Sequence, residues 1–257
     1  QGNKANIIKG RCDVLIDDSA FEGCSGFTEV YSSAEVAPTL GTNAFANINE
    51  NATLYYPDSS EQSYEEKGWF NYFSKRIGLG KCGDNLYWYV DDENTLIIFG
   101  TGEMENYFYS PILILAITPW SVLNPAPTSL VLEEGITHIG NAAFLNEDFK
   151  GSLTIPNSVT SIGHGAFKKC SGFTGSLTIP NSVTTIGDYA FENCDGLTNI
   201  FFYSDTRPTK TSRYAFNGIS STAKVYAPVI WESFDNIPSA KLVKMATYVG
   251  HQTTDNG

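Results

Sequence analysis

A repeat of 24 residues constrains the fold of this chain more than any other feature. The segment SLTIPNSVTSIGHGAFKKCSGFTG (152–175) is followed directly by the nearly identical SLTIPNSVTTIGDYAFENCDGLTN (176–199). A third copy precedes them, because LVLEEGITHIGNAAF (130–144) matches 153–167 at an offset of 23 residues. Periods of this length are typical of solenoids, in which each repeat forms one coil that stacks on its neighbours.

The N-terminal part of the chain carries the same unit. IDDSAFEGCSGFTEVY (16–31) matches IGDYAFENCDGLTNIFF (186–202) at an offset of 170 residues, and the match continues from LYYP (54–57) to VYAP (225–228) with a shift of one residue. The chain therefore contains two arrays of repeats, each ending in a similar closing segment.

Each repeat begins with a pattern typical of a short strand. Leu153 and Ile155 are expected to point inward and Thr154 outward, because successive side chains of a strand alternate between its two faces. Pro156 then ends the strand, since proline cannot continue a hydrogen-bonded ladder. Gly163 is expected to relax the backbone for a turn.

An Ala-Phe pair follows in each repeat, which we expect on a short helical turn. The pair supplies one small and one large core residue. If successive coils share a continuous hydrophobic interior, Phe144, Phe167 and Phe191 must form a stacked column. This column is the decisive test of the solenoid interpretation.

The strings IPNSVTSIGHGAFKKCSGFT and IPNSVTTIGDYAFENCDGLT closely resemble the BspA-like (Treponema-type) leucine-rich repeats. The resemblance extends from about Ile16 to Val243. It implies an α/β repeat solenoid, a right-handed superhelix of mainly short parallel strands with short or 3-10 helical turns. CGDNLYWYVDDENTLIIFGTGEM (82–104) resembles the two-stranded lead-in of such arrays, with a turn at 91–94. The strongly apolar PILILAITPW (111–120) departs from the polar loop usual in this family.

These patterns predict four segments. The end of a first array with a C-terminal cap occupies 1–78, where SEQSYEEKGWFNYF (60–73) forms a helical or irregular cap over the last strand edge. A β-hairpin lead-in and an apolar connecting segment occupy 79–129 and join the two arrays. The second array with its cap covers 130–246, and a tail covers 247–257. The apolar residues 113–117 are expected either to be buried against the first array or to form a self-association patch.

Composition excludes several classes of protein. With 16 basic and 28 acidic residues the formal charge is -12, which disfavours binding to nucleic acid. The longest apolar run, 107–123, contains two prolines and is shorter than the roughly 20 residues of a membrane helix, so no transmembrane span is expected. The chain begins at Gln1 without a leader, which indicates a mature or trimmed product.

The sequence offers no catalytic group, metal site or cofactor site. Cys24, Cys170 and Cys194 share one repeat position, so we expect buried free thiols, or alternatively a disulfide between Cys170 and Cys194. His138 and His164 replace residues of the sister repeats that should lie at the surface.

The outward row of the strand ladder is the best candidate binding surface. The alignment places Tyr31 and Tyr55 on this row in the first array, and Val131, Thr154, Thr178, Phe201 and Tyr226 in the second. Exposed aromatic residues favour a protein interface, since they give large contact area at low entropic cost. The alternative is that the closing segments fold over them.

Three functions fit these features. The resemblance implies a non-enzymatic, secreted or cell-surface protein that mediates adhesion to host matrix or cell-surface proteins, or to other cells. A second hypothesis is a structural spacer in a larger surface protein. The third is a glycan-binding module that uses the exposed aromatic rings as stacking platforms.

Overall fold

The computed structural model describes residues 3–6, 15–110, 115–204, 208, 210–211, 214–228 and 242–245. Cys12, His251, residues 111–114 of the apolar run PILILAITPW and the predicted tail lie outside these residues. The chain divides into two compact units, Gln1–Lys81 and Cys82–Gly257. In each unit, short strands from successive coils pair in parallel, which confirms the predicted repeat solenoid.

The first unit has two parallel ladders. One has the strand order β1-β3-β5-β6 and the other pairs β2 with β4. The strands are β1 (Asn3–Asn6), β2 (Leu15–Ile16), β3 (Phe27–Tyr31), β4 (Thr39–Leu40), β5 (Thr53–Pro57) and β6 (Lys75–Gly83).

A helical arc connects β5 to β6. It consists of a 3-10 helix at Asp58–Ser60, α1 (Glu61–Glu66) and a second 3-10 helix at Trp69–Asn71. Residues 60–73 are therefore mainly helical, but β6 itself pairs along β5 and covers that strand edge. The helical arc instead takes the position that the Ala-Phe turn occupies in the other coils, because its buried aromatic side chains fill the same part of the core.

The second unit begins with a hairpin and continues as three ladders. Strands β7 and β8 pair in an antiparallel manner around the predicted turn at 91–94, and β8 pairs in parallel with β12. The two other parallel ladders have the orders β9-β13-β14-β16-β18 and β15-β17-β19-β20, and β10 pairs with β11 in a small antiparallel hairpin. The strands are β7 (Leu86–Val90), β8 (Thr95–Gly100), β9 (Gly102–Glu103), β10 (Tyr109–Ser110), β11 (Leu115–Ala116), β12 (Ser129–Leu132), β13 (Ile136–Ile139), β14 (Ser161–Ile162), β15 (Gly175–Ile179), β16 (Thr185–Ile186), β17 (Leu197–Phe202), β18 (Lys210–Thr211), β19 (Lys224–Pro228) and β20 (Leu242–Met245).

A column of aromatic rings forms the centre of the second unit. The rings of Phe144 and Phe167 lie 5.2 Å apart between centroids, and those of Phe167 and Phe191 lie 5.3 Å apart. All three side chains are fully buried. The predicted column is confirmed, and Phe216 extends it at 5.2 Å from Phe191.

Trp120 begins this ring column one coil earlier than the recognisable repeats. Its ring stacks on Phe144 at 5.4 Å, and its indole N–H donates to the carbonyl of Ala143 at 3.0 Å. The backbone N–H of Leu123 donates to the Trp120 carbonyl, which is the same bond that Glu147 makes to Phe144 in the next coil. The apolar segment before Leu130 therefore contains a degenerate coil.

The Ala-Phe segments are chains of β-turns, where we expected short helical turns. Every second backbone N–H group donates to the carbonyl of the residue three positions earlier in the same turn. These bonds run from Ala166 to Gly163, from Lys168 to Gly165 and from Cys170 to Phe167. The N–H groups between them donate to the next coil, from Gly165 to Asp188, Phe167 to Ala190 and Lys169 to Glu192. Gly165 and Lys169 adopt the left-handed conformation, with φ of 59° and 64°, which makes this alternation possible.

The repeated glycine before this turn serves a different purpose from the one predicted. Gly163 does not adopt the left-handed conformation. A Cβ atom there would lie 2.6 Å from the backbone nitrogen of Asn141 in the preceding coil, and one at Gly187 would lie 2.7 Å from the backbone of the Gly163 coil. Glycine is required because the coils approach closely at this corner.

Candidate binding surface on the strand ladders

The best-formed candidate surface lies on β15, β17 and β19. Along these strands, apolar side chains that point inward alternate with side chains that point outward, as expected for half-buried strands. Thr178, Phe201 and Tyr226 are register partners and form one outward row. Thr178 is exposed, and the two aromatic side chains are half-buried.

The aromatic side chains of this row stack on one another. Phe201 and Tyr226 lie 4.5 Å apart between ring centroids with an angle of 15° between their planes. Tyr203, two residues after Phe201, stacks on Phe201 at 5.8 Å and is 55% exposed. Thr178, Phe201, Tyr203 and Tyr226 form the candidate surface, which we call the binding face. Tyr203 was missed in the sequence, although its spacing from Phe201 marks the same side of an extended strand.

A polar row runs beside the binding face on the same three strands. Ser176, Asn199 and Lys224 are register partners there, and the Asn199 amide donates to the Ser176 hydroxyl at 3.3 Å. The aromatic row thus has hydrogen-bonding groups along one side. Such an arrangement of apolar centre and polar border resembles the composition of protein interfaces.

Thr154 and Val131 lie in coils where the ladder is less regular. Thr154 is exposed between the buried Leu153 and Ile155, as predicted, but its segment forms only a parallel bridge from Gly151 to Phe173. Val131 is 44% exposed on β12. Neither residue has an aromatic register partner, so this end of the row offers less contact area.

The matching row of the first unit is largely covered. Tyr31 and Tyr55 are register partners whose rings lie 4.3 Å apart and almost parallel, at 7°. Tyr55 is only 5% exposed, which corrects the expectation that it stands open to solvent, whereas Tyr31 is half-buried. The Tyr55 hydroxyl donates to Glu29 at 3.4 Å. Tyr55 therefore supports Tyr31 from the side.

Stacking within the ladder decides which part of each ring can meet a ligand. Parallel strands lie about 4.8 Å apart, so register-matched rings cover one face of each other. The opposite faces are flanked by further register partners, Thr178 beside Phe201 and Val243 beside Tyr226. Ring edges and hydroxyl groups therefore face outward. This surface therefore suits a partner that contacts the edges of the aromatic rings better than a partner that must stack on an exposed ring face.

The repeat-position cysteines are free thiols. Cys170 donates to the carbonyl of Phe144 at 2.8 Å and Cys194 to that of Phe167 at 3.0 Å, so the alternative disulfide between them is not formed. Both are fully buried, and burial raises the pKa of Cys194 to about 12 and that of Cys170 well above its usual value. Thiols this basic stay protonated and act as small apolar groups. Cys24, at the same position, is half-buried.

The two histidines of the described residues, His138 and His164, make contacts within the fold. His138, expected at the surface, is half-buried and lies 2.8 Å from the hydroxyl of Ser161 through Nδ1. Burial lowers the pKa of His138. The two are register partners on β13 and β14, so the contact follows from the ladder itself. His164 is exposed and packs its ring edge-on against Tyr189. Within the described ranges, no group of three or more metal-binding side chains comes together.

Comparison with protein families decides the identity of the repeats. A family model described as "BspA type Leucine rich repeat region" matches in six copies, over residues 11–75 and 127–241. The chain belongs to the BspA-type leucine-rich repeat family. The two matched ranges exclude the hairpin of β7 and β8 and the coil around Trp120.

Three similar proteins of known structure come from bacteria. A leucine-rich repeat protein from Eubacterium ventriosum is 23% identical over 60% of this chain and 45% of its own, with a TM-score of 0.43. A leucine-rich cell surface protein from Faecalibacterium prausnitzii is 23% identical over 73% of this chain and 50% of its own, with a TM-score of 0.30. The T. pallidum leucine-rich repeat protein is 16% identical over 91% and 76%, with a TM-score of 0.31. The chain thus spans about half the length of the first two. No curated protein matches the sequence.

Proposed function

We propose that this chain is a secreted or cell-surface binding module that holds a protein partner on the binding face, and that it acts in adhesion to host matrix proteins or to other cells. The observation that carries the proposal is the stack of Phe201, Tyr226 and Tyr203. It is a rigid, partly exposed aromatic group with a polar row beside it. Family membership supports a role in binding and gives no support to catalysis.

Rigid aromatic side chains suit a protein partner for a physical reason. A side chain that is already stacked loses little conformational freedom on binding, so more of its contact energy appears as affinity. Tyr226 and Tyr203 also carry hydroxyl groups that can donate to a partner backbone. Tyr31 is the corresponding contact of the first unit, supported by Tyr55. Thr154 and Thr178 are the polar contacts of the same outward rows.

The net charge of the chain fits this role. The formal charge of -12 keeps an exposed module soluble and disfavours anionic partners. In the part of the chain that the structure covers, no helix is long and apolar enough to cross a membrane.

Binding to immobilised matrix proteins and to host-cell surface extracts tests the proposal. The double variant Phe201→Ser, Tyr226→Ser should weaken binding at least about ten-fold, as expected for central aromatic contacts. Phe108→Ser is the matched control, since Phe108 is an aromatic side chain that is 94% exposed outside the binding face. Circular dichroism of each variant verifies folding.

Three outcomes would overturn the proposal. If the wild-type chain binds neither matrix protein nor cell-surface extract, the chain is a structural spacer. If it binds and the double variant binds equally well, the partner uses another surface. Hits on a glycan array that disappear in the double variant would replace the protein partner with a saccharide.

A further inference from the structure

We infer that the first unit contains a separate site for a neutral saccharide, in a depression beside its helical arc. The depression has a volume of about 530 Å³. We define it by its lining residues, Glu50, Asn51, Phe70, Asn71, Tyr72 and Ser74. It goes beyond the proposed protein-binding role and does not depend on it.

The depression forms where the turn before β5 meets the end of the helical arc. Glu50 and Asn51 belong to that turn, and Phe70 and Asn71 to the second 3-10 helix. The Ser74 hydroxyl donates to the Glu50 carbonyl at 3.2 Å and holds the two walls together. Both walls thus come from neighbouring coils of one unit.

The polar side chains around the depression are available to a ligand. The Glu50 carboxylate, the side-chain amides of Asn51 and Asn71, and the Tyr72 hydroxyl have no hydrogen-bond partner among the described residues. A carboxamide offers two donors and one acceptor, and a carboxylate accepts two hydrogen bonds. Adjacent hydroxyl groups of a sugar ring match such pairs, because each hydroxyl both donates and accepts.

The aromatic side chains give the depression a fixed apolar wall. Phe70 is half-buried and is held by Tyr56, 5.4 Å away between centroids, and by the Arg76 guanidinium, 4.3 Å from its ring centre. Tyr72 packs against the buried Phe45 at 5.9 Å. These rings are not stacked in parallel on a register partner, in contrast to those of the binding face. The parts of these rings that Tyr56, Arg76 and Phe45 leave uncovered line the depression and offer apolar surface to the C–H groups of a sugar.

Charge defines the class of saccharide. Glu50 is the one charged residue among those that line the depression, and the Arg76 guanidinium lies against the lining ring of Phe70. One carboxylate and one guanidinium leave no net charge at the depression, which favours a neutral sugar over a charged one. The depression is open, so a small ligand would lie in it with much of its surface in contact with solvent. An open site with few polar groups binds weakly, so a single site should show millimolar affinity and gain strength only when several copies act together.

Saturation-transfer NMR on the full chain tests the inference, with the methyl glycosides of glucose, galactose, mannose and N-acetylglucosamine as probes. At least one neutral glycoside should receive saturation. Asn71→Ala should weaken that binding about ten-fold, the loss that one or two hydrogen bonds produce. Asn71 is exposed, so this change leaves the core intact. Asn217→Ala, an exposed asparagine of the second unit, is the matched control.

Further variants separate this site from the binding face. The double variant Phe201→Ser, Tyr226→Ser should bind the glycoside as the wild type does, so failure of one proposal leaves the other standing. Glu50→Gln should keep neutral binding within a few-fold and admit N-acetylneuraminic acid, which the wild type rejects. The inference is overturned if no neutral glycoside receives saturation, or if the transfer is unchanged in Asn71→Ala.

Discussion

The two units fill their interiors with aromatic rings in different ways. In the second unit, Phe144, Phe167, Phe191 and Phe216 repeat at one position, and adjacent rings stack at 5.2 to 5.3 Å. Among the described residues of the first unit, only Phe21 and Phe45 stack in this way, at 5.1 Å. Phe45 then meets a cluster of tilted rings from the helical arc.

This difference shows what a regular repeat contributes. Where each coil supplies a phenylalanine at the same position, the spacing between coils brings the rings into stacking contact, and no side-chain hydrogen bond is needed to hold them. Where the helical arc replaces the turn, Trp69 and Tyr64 need specific hydrogen bonds, to the Pro38 carbonyl at 2.9 Å and the Ala34 carbonyl at 3.0 Å. The first unit therefore depends on particular polar contacts, and the second depends on repetition.

The interior of the ring column should be the most sensitive position. Phe167→Ala removes a fully buried ring that contacts a ring on each side, and should lower the free energy of unfolding by about 3–5 kcal/mol. Phe21→Ala, at the half-buried end of the shorter stack, should cost clearly less. Urea denaturation followed by circular dichroism measures both. Equal losses would show that repetition adds nothing to stability.

Conservative changes of the two buried tryptophans compare the specific contacts. Trp69→Phe keeps a ring but leaves the Pro38 carbonyl without its donor, and should cost about 1–3 kcal/mol. Trp120→Phe also loses a hydrogen bond, to the carbonyl of Ala143, but it places phenylalanine at a position of the ring column that phenylalanine occupies in the following coils. Trp120→Phe should therefore cost less, as measured by the same denaturation. The reverse order would contradict the distinction between the units.

A carboxyl group interrupts the column of cysteines in the second unit. Glu147 occupies the position of Cys170 and Cys194, and burial raises its pKa to about 7. The unfolded chain loses this proton near pH 4.5, whereas the folded chain keeps it up to about pH 7. The free energy of unfolding should therefore fall as pH rises through this window.

Glu147→Gln should remove that decline, and denaturation at several pH values between 4 and 8 would reveal it. Glu134→Gln is the control with the opposite sign. The Glu134 carboxylate accepts the backbone N–H groups of Asn157 and Ser158, which lowers its pKa, so its contribution is lost as pH falls. A pH profile unchanged by Glu147→Gln would show that Glu147 titrates normally.

The sequence predicted the repeat architecture because each coil encodes the same inward positions. It predicted the column of Phe144, Phe167 and Phe191 for that reason. It missed the coil around Trp120, whose strand and turn residues no longer match the repeat, although the spacing to Phe144 is preserved. The burial of Tyr55 was missed because alternation gives the direction of a side chain and says nothing of what covers it. The depression joins residues from two coils, a contact that no linear motif contains.

Thiol reactivity gives the smallest and most local test of the comparison. Cys24 and Cys194 share a repeat position, but Cys24 lies half-buried in the first unit and Cys194 is fully buried in the second. In a Cys12→Ser background, Cys24 should react with a water-soluble disulfide reagent in the folded chain, while Cys82, Cys170 and Cys194 should react only after unfolding. A Cys24→Ser variant should abolish the fast phase. If Cys194 reacts as fast as Cys24, the interior of the second unit opens as readily as the end of the first, and the advantage attributed to its repeated coils is lost.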